Sequence, residues 1–333
     1  MEKLLLISII ISFLTTLIIL PFWIKKARNV GLIWKDMNKF GNTKAAGSGG
    51  LSVIIGFVLG ILTYIAIRTF YFNSVEYMVE IFALTTSILL LAGIGIIDDL
   101  LGWQHGGLRK RIRIILILFA AIPLMVINAG ESIIYVPFFG LANLGILYAL
   151  LVIPVGIIGS TTTFNFLAGY NGLEAGQGIL LLSALSIMAL KTGSVWLALI
   201  GLCAVVSLFA FLIYNKFPAK VFPGDVLTYP MGGMIAIMAI LGNYERFAVF
   251  IFIPYIIETG LKLRGSLIKE SYGKPQPDGS IKNKYDKIYG LEHLAIRILE
   301  KTKKNKKAHE VEVVLLIHGF QVLIILLGFL IFF

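Results

Sequence analysis

The sequence predicts an all-α, polytopic membrane protein of about ten transmembrane helices, and three observations carry that reading. Of its 333 residues, 58% are hydrophobic and 14% charged, where a soluble domain is nearer a quarter charged. Its mean hydropathy is +0.91. Apolar runs long enough to cross a bilayer recur from end to end, and the basic residues gather in alternate gaps between them.

A water-soluble fold is excluded by that composition. The net charge of +11 would suit nucleic acid if it formed one soluble basic domain. It is instead dispersed between apolar spans, which excludes nucleic acid as a partner and points to membrane lipids and phosphorylated substrates. The one cysteine, Cys203, lies in an apolar run, so neither a disulfide framework nor a cysteine zinc cluster is expected. No internal repeat or soluble segment divides the chain, and 1–333 reads as a single integral membrane domain.

Taken in order, clear spans are expected near 4–23, 50–70, 81–97, 112–128, 141–164, 195–214, 247–263 and 313–333. No small-residue cleavage signature follows the first, so it reads as a retained span. Two shorter runs, 179–190 and 229–241, reach about two-thirds of the needed length and read either as spans extended by polar flanking turns or as re-entrant pieces, the glycine-rich flanks favouring extension and a count of ten. Ten spans sort the loops into two sets. One set collects 25 of the 29 lysines and arginines, and the other keeps Lys3, Arg68, Lys191 and Arg246. By the positive-inside bias the rich side is cytoplasmic and both termini lie outside. The polar segment 265–312 with its basic run at 301–307 is then cytoplasmic surface, attraction to lipid head groups being the sharper reading.

Four segments on that side hold polar residues that apolar spans carry only at a cost. Asp98 and Asp99 close the third expected span. An ionised Asp at mid-bilayer costs about 3 kcal/mol, and negative charge at a helix C-terminus opposes the dipole, so the pair calls for a metal, a basic residue or a phosphate. The stretch from Asn165 to Gly178 has two Asn, a Glu, a Gln and four Gly in fourteen residues, offering amide and carboxylate groups beside backbone that a ligand can approach closely. Asp225 stands in a Pro/Gly turn after Phe222, where a plain helix cap is the bland alternative. Arg109, Lys110 and Arg111 serve equally as a positive-inside anchor or as a phosphate grip. Carboxylates, basic groups and glycine loops on one face make a phosphoryl-transfer layout, with the site in a cytoplasmic-face cleft.

These ordered motifs resemble the polyprenyl-phosphate N-acetylhexosamine-1-phosphate transferases over nearly the whole chain. The stretch Leu167-Ala-Gly-Tyr-Asn-Gly-Leu-Glu-Ala-Gly-Gln177 looks like their dolichol-type branch, whereas the Asp-rich motif and His-rich loop of the bacterial cell-wall branch are absent. The resemblance implies transfer of N-acetylhexosamine 1-phosphate, GlcNAc 1-phosphate first among the choices, from a UDP-sugar to polyprenyl or dolichyl phosphate with release of UMP. That is a first membrane step of N-glycan or cell-surface glycan assembly. It implies Mg²⁺, with Mn²⁺ an alternative, on Asn165 and Asp225, and inhibition by tunicamycin. It places Gly169 and Asn171 at the ribose and uracil with Phe222 stacked on the base, and Glu174 and Lys274 also on the substrate side. Asp98 and Asp99 fall near the lipid phosphate, and Lys110 or Arg111 at the pyrophosphate.

The chain departs from the family pattern in the spacing of that basic stretch and in the loop 44–50, which lacks the family's proline and acid. It departs again at Tyr272-Gly-Lys274-Pro-Gln-Pro277, which stands where the eukaryotic enzyme has an Arg/His-rich sugar loop. The pentapeptide-translocase reaction is the nearest alternative, a membrane transporter the alternative from another class, and homodimerisation is left open.

Overall fold

The computed structural model describes residues 3–136 and 140–333. The helices are α1 (Leu6–Asn29), α2 (Gly50–Ala66), α3 (Met78–His105), α4 (Lys110–Val126), α5 (Ile153–Phe164), α6 (Leu173–Lys191), α7 (Val195–Asn215), α8 (Asp225–Leu241), α9 (Glu245–Ile251), α10 (Ile253–Arg264), α11 (Leu291–Thr302) and α12 (Glu310–Phe332). Three antiparallel hairpins decorate the loops: β1 (Ile33–Lys35) with β2 (Lys44–Ala46), β3 (Ile133–Val136) with β4 (Gly140–Asn143), and β5 (Lys274–Pro275) with β6 (Ile281–Lys282). The all-α membrane architecture expected from the sequence is what forms.

Among the described residues, six helical segments are long and apolar enough to cross a membrane: Lys3–Asn29, Gly50–Tyr71, Met78–Trp103, Leu173–Lys191, Val195–Asn215 and Glu310–Phe332. Tyr148–Phe164 and Asp225–Leu241 are shorter apolar helices. The remaining expected crossings fall on α4 and on the α9–α10 pair, which breaks at Phe252 just before Pro254, where proline's missing N–H interrupts the helical ladder. The short run 179–190 does extend N-terminally, through 173–178, into the 19-residue α6. Two expected boundaries are corrected. The segment expected to begin at 141 starts as β4 and becomes helical only at Tyr148. The helix of the third span does not end at Asp99 but runs on to His105.

Small residues set the closest packing. The stripe Ser8, Ser12, Thr16, Leu20, Ile24 and Ala27 is the buried face of α1. A Cβ added at Gly56 or Gly60 of α2 would stand 2.0 Å from the Thr16 hydroxyl or 1.8 Å from that of Ser12, so only glycine lets these helices meet so closely. Helix α8 is the centre of the molecule. All but its first and last residues are buried, against α3 and α5 among others, and its N-terminus opens toward the polar loops.

The arrangement of loops is open to a direct test. Cysteine placed at the exposed Val75 or Asn243 is expected to react with an impermeant maleimide from one side of sealed vesicles, and cysteine at the exposed Lys282 only from the other. The neighbouring Ser280 is buried and unsuited to labelling. Labelling of 75 and 282 from the same side would overturn the ten-span reading.

Candidate active site

Helix α8 begins at Asp225 after Gly224, whose φ of +74° belongs to glycine. The first N–H groups of a helix lack intrahelical acceptors. Here the Asp99 carboxylate of α3 supplies them, accepting the N–H of Asp225 at 2.8 Å and of Val226 at 3.3 Å. The approach is so close that a Cβ on Gly95 would lie 2.3 Å from the Asp225 carbonyl oxygen, and one on Gly224 2.3 Å from Asp99 Oδ2. Asp99 therefore caps α8 across space, and the Asp225 side chain is left free of the capping role that its position in sequence suggested.

Asp98 takes three donors: the Leu108 N–H, the Tyr229 hydroxyl and Arg113 Nη2, each at 2.7 Å. The partner that this buried acid calls for is thus a basic residue, and it is Arg113. Lys110 and Arg111, expected as the pyrophosphate cation, are exposed in the first turn of α4. Lys110 stands three residues before Arg113, on the same side of the helix.

A cavity of about 350 Å³ opens at the head of α8. Of the residues singled out in the sequence, Asn165, Gly169, Glu174, Phe222 and Asp225 line it. Asn165 follows the last turn of α5, and its Oδ1 accepts the Thr228 hydroxyl at 3.1 Å. Phe222 is fixed through its backbone: its N–H donates to Ala46 O at 2.8 Å, and its carbonyl accepts the Gly49 N–H at 2.9 Å. The loop 44–50, though lacking the family's proline and acid, thereby splints the Phe222–Asp225 turn. Glu174 Oε1 accepts the Gly169 N–H at 2.7 Å, while Oε2 is buried without a partner. That idle acceptor on a cavity wall is available to a ligand hydroxyl or amide.

Two expected substrate contacts lie elsewhere. Asn171 does not line the cavity. It is buried, and its side-chain amide donates to Asp36 Oδ2 at 3.0 Å and Glu310 Oε2 at 3.2 Å, while its N–H donates to Glu310 Oε1 at 2.8 Å. It ties the Gly169 loop to the first loop and to the head of α12. Lys274 is exposed on the β5–β6 hairpin and also off the cavity.

The wall has members that sequence reasoning missed: Asp36, Thr228, Ser271 and Tyr272. Asn38 bridges two of the loops, donating to Gly169 O at 2.9 Å and accepting the Gly273 N–H at 3.3 Å. Below Tyr272 lies a buried ionic prop. Lys262 donates to Ser271 Oγ at 2.5 Å and pairs with Glu258 at 3.4 Å, and Glu258 accepts the Leu291 N–H at 2.6 Å. Burial, then the nearby Glu174 carboxylate, pushes the Tyr272 phenol up to about 12, so at neutral pH it is a hydrogen-bond donor. One signal for these residues was in the sequence: Asp36 is an acid in a loop otherwise rich in lysine, and Arg113 is a charge between two isoleucines.

Among the described residues, no group of three His, Cys, Asp or Glu is arranged to enclose a metal ion. The donors present nonetheless suit a hard cation that keeps most of its water or phosphate ligands. Asp225 offers a carboxylate and Asn165 an amide oxygen in one cavity, and the carboxylates of Asp98 and Asp99 are close enough to repel that of Asp225, with Arg113 as the compensating cation nearby.

Comparison with known proteins fits this geometry. Residues 81–243 match the family described as Glycosyl transferase family 4. A protein of Saccharolobus solfataricus, provisionally named UDP-N-acetylglucosamine–dolichyl-phosphate N-acetylglucosaminephosphotransferase, is 36% identical over 88% of this chain and 88% of its own. The Dictyostelium discoideum protein of that name is 30% identical over 67% of this chain and 62% of its own. A phospho-N-acetylmuramoyl-pentapeptide-transferase of Halalkalibacterium halodurans is 29% identical over 78% and 81%. The matched region holds most of α3 and all of α8, with the turn between Phe222 and Asp225, and the S. solfataricus similarity extends over most of both chains: the chain belongs to glycosyl transferase family 4.

Proposed function

We propose that the protein transfers N-acetylglucosamine 1-phosphate from UDP-N-acetylglucosamine to a polyprenyl or dolichyl phosphate, releasing UMP, at a site on the cytoplasmic face. The observation that carries this reading is that one cavity unites Asp225 and Asn165, the aromatic ring of Phe222 and the glycine backbone at Gly169. It thus holds groups for a diphosphate, a flat base and a sugar. The relatives of S. solfataricus and D. discoideum are named for the same transfer.

An oxygen of the lipid phosphate attacks the β-phosphorus of the UDP-sugar, and the bond from that phosphorus to the bridging oxygen breaks, so the electron pair leaves with UMP. A phosphate monoester with its second pKa near about 6 is largely dianionic at neutral pH, so no protein base is required. Asp98, with three donors on its two oxygens, acts by holding Arg113 and Tyr229. Mg²⁺ on Asp225 and Asn165 supplies charge neutralisation for the diphosphate when bound. Asp99 holds Asp225 in place, Arg113 attracts phosphate, and Phe222 stacks on uracil. Tyr272 donates to the sugar, and Lys110 and Arg111 draw anionic substrates toward the mouth.

The test is purified protein with Mg²⁺, polyprenyl phosphate and radiolabelled UDP-sugars, followed by lipid extraction. UDP-N-acetylglucosamine is expected to label the lipid, with UMP as product, and tunicamycin to block it. Equal labelling from UDP-glucose would show that the acetamido group is not read. Efficient use of UDP-MurNAc-pentapeptide would overturn the substrate assignment.

A further inference from the structure

Away from the cavity, α11 carries Leu291, Leu294, Ala295 and Ile298 at spacings of three and four, a single apolar face. Together with Leu315, Phe320 and Leu323 of α12 this face borders an open apolar groove of about 460 Å³ that shares no residue with the active-site cavity. Ile298 is 39% exposed and Leu315 63%, and α12 is among the segments apolar enough to cross the membrane, so the groove opens toward hydrocarbon.

Past Ile298, the C-terminal end of α11 leads into a lysine-rich segment, 301–307. Lys301 lies three residues beyond Ile298 on the same helical face. Lys303 is anchored on both oxygens of Glu312, at 2.6 and 2.8 Å, three residues before Leu315. Lys303 and Lys307 are neutralised by Glu312 and Asp278. Lys301, Lys304 and Lys306 are exposed, and none has an acidic partner among the described residues. An apolar trough whose bordering helix leads into a segment with three uncompensated cations is complementary to a molecule with a hydrocarbon chain and an anionic head, and a neutral lipid would leave the lysines uncompensated.

We propose that this groove, with Lys301, Lys304 and Lys306 at its mouth, binds an anionic phospholipid of the leaflet facing the active site, its chain along α12 and its phosphate on the lysines. The site bears on catalysis, because α11 starts at Leu291, whose N–H is held by Glu258, which in turn pairs with the lysine that holds Ser271 beside Tyr272. Fixing α11 at the membrane steadies that wall, so anionic lipid lowers the KM for the UDP-sugar with little change in kcat.

A tryptophan in the groove reads occupancy. The Phe320→Trp protein, corrected for its parent, is reconstituted in phosphatidylcholine vesicles containing either brominated phosphatidylglycerol or brominated phosphatidylcholine at equal mole fraction. Quenching is expected to favour the phosphatidylglycerol several-fold. That preference and the fall in KM should vanish together in Lys301→Gln/Lys304→Gln/Lys306→Gln, whose activity in neutral vesicles is unchanged, and return in the corresponding triple arginine variant. Equal quenching by the two lipids, or a preference that survives the triple glutamine variant, would overturn the proposal. So would displacement of the phosphatidylglycerol by an equal mole fraction of polyprenyl phosphate, which would assign the groove to the acceptor.

Discussion

Asp225→Asn is expected to lower turnover about a thousandfold or more, because metal stabilisation of a developing phosphoryl charge is worth several kcal/mol and each 1.36 kcal/mol is about tenfold in rate. The variant should insert and fold as the parent does. The N–H groups of α8 that need a partner are satisfied by Asp99 and not by the Asp225 side chain, and asparagine has the same size. Relief of the repulsion from Asp98 and Asp99 should, if anything, raise its thermal midpoint. Rates at saturating Mg²⁺ alongside a thermal melt in detergent check both halves. Turnover above roughly a tenth of the parent's, a loss of under about 1.4 kcal/mol, would overturn the proposed role of Asp225 as a metal ligand.

Much of this molecule is written in hydropathy. Helices α1, α2, α3, α7 and α12 stand where long apolar runs stand, and the glycine-rich flank of 179–190 became the first turns of α6. The β3–β4 hairpin was not legible that way, because the residues before Tyr148 are as apolar as a span and differ only in carrying Asn143 and Gly145, which favour a turn. The cavity was half legible. Asn165, Gly169, Glu174, Phe222 and Asp225 sit in two local motifs whose composition is odd for a membrane helix.

What local composition could not give is pairing between distant loops. Asn171 reads as a ligand group until the structure puts Asp36 and Glu310 on it, each more than 130 residues away in the chain. Tyr272 reads only as part of the loop that stands in place of the family's sugar loop until Lys262 is found on the Ser271 hydroxyl and Asn38 on the Gly273 N–H to either side of it. Arg113 entered only as one of the 25 basic residues on the rich side, and nothing in its spacing says that Asp98, fifteen positions earlier, is its partner.

Asp99→Ala should cost nearly as much as loss of Asp225, by a different route. Removing its carboxylate strands two N–H donors at the head of α8 and frees the turn through Gly224. A buried donor left unsatisfied costs about 1–3 kcal/mol, and displacement of a catalytic group by about 1 Å can cost a hundredfold in rate. A hundredfold or greater fall in kcat is therefore expected, together with a lower thermal midpoint, which Asp225→Asn should not show. If Asp99 acts only by holding Asp225 in place, the two substitutions are not additive: once Asp225 is asparagine, further loss of Asp99 should change kcat by less than about threefold. Had Asp99 instead a direct part of its own at the acceptor phosphate, the double variant would lose the product of the two effects. The four rate constants of that cycle distinguish a residue that shapes the head of α8 from one that touches the reacting phosphates.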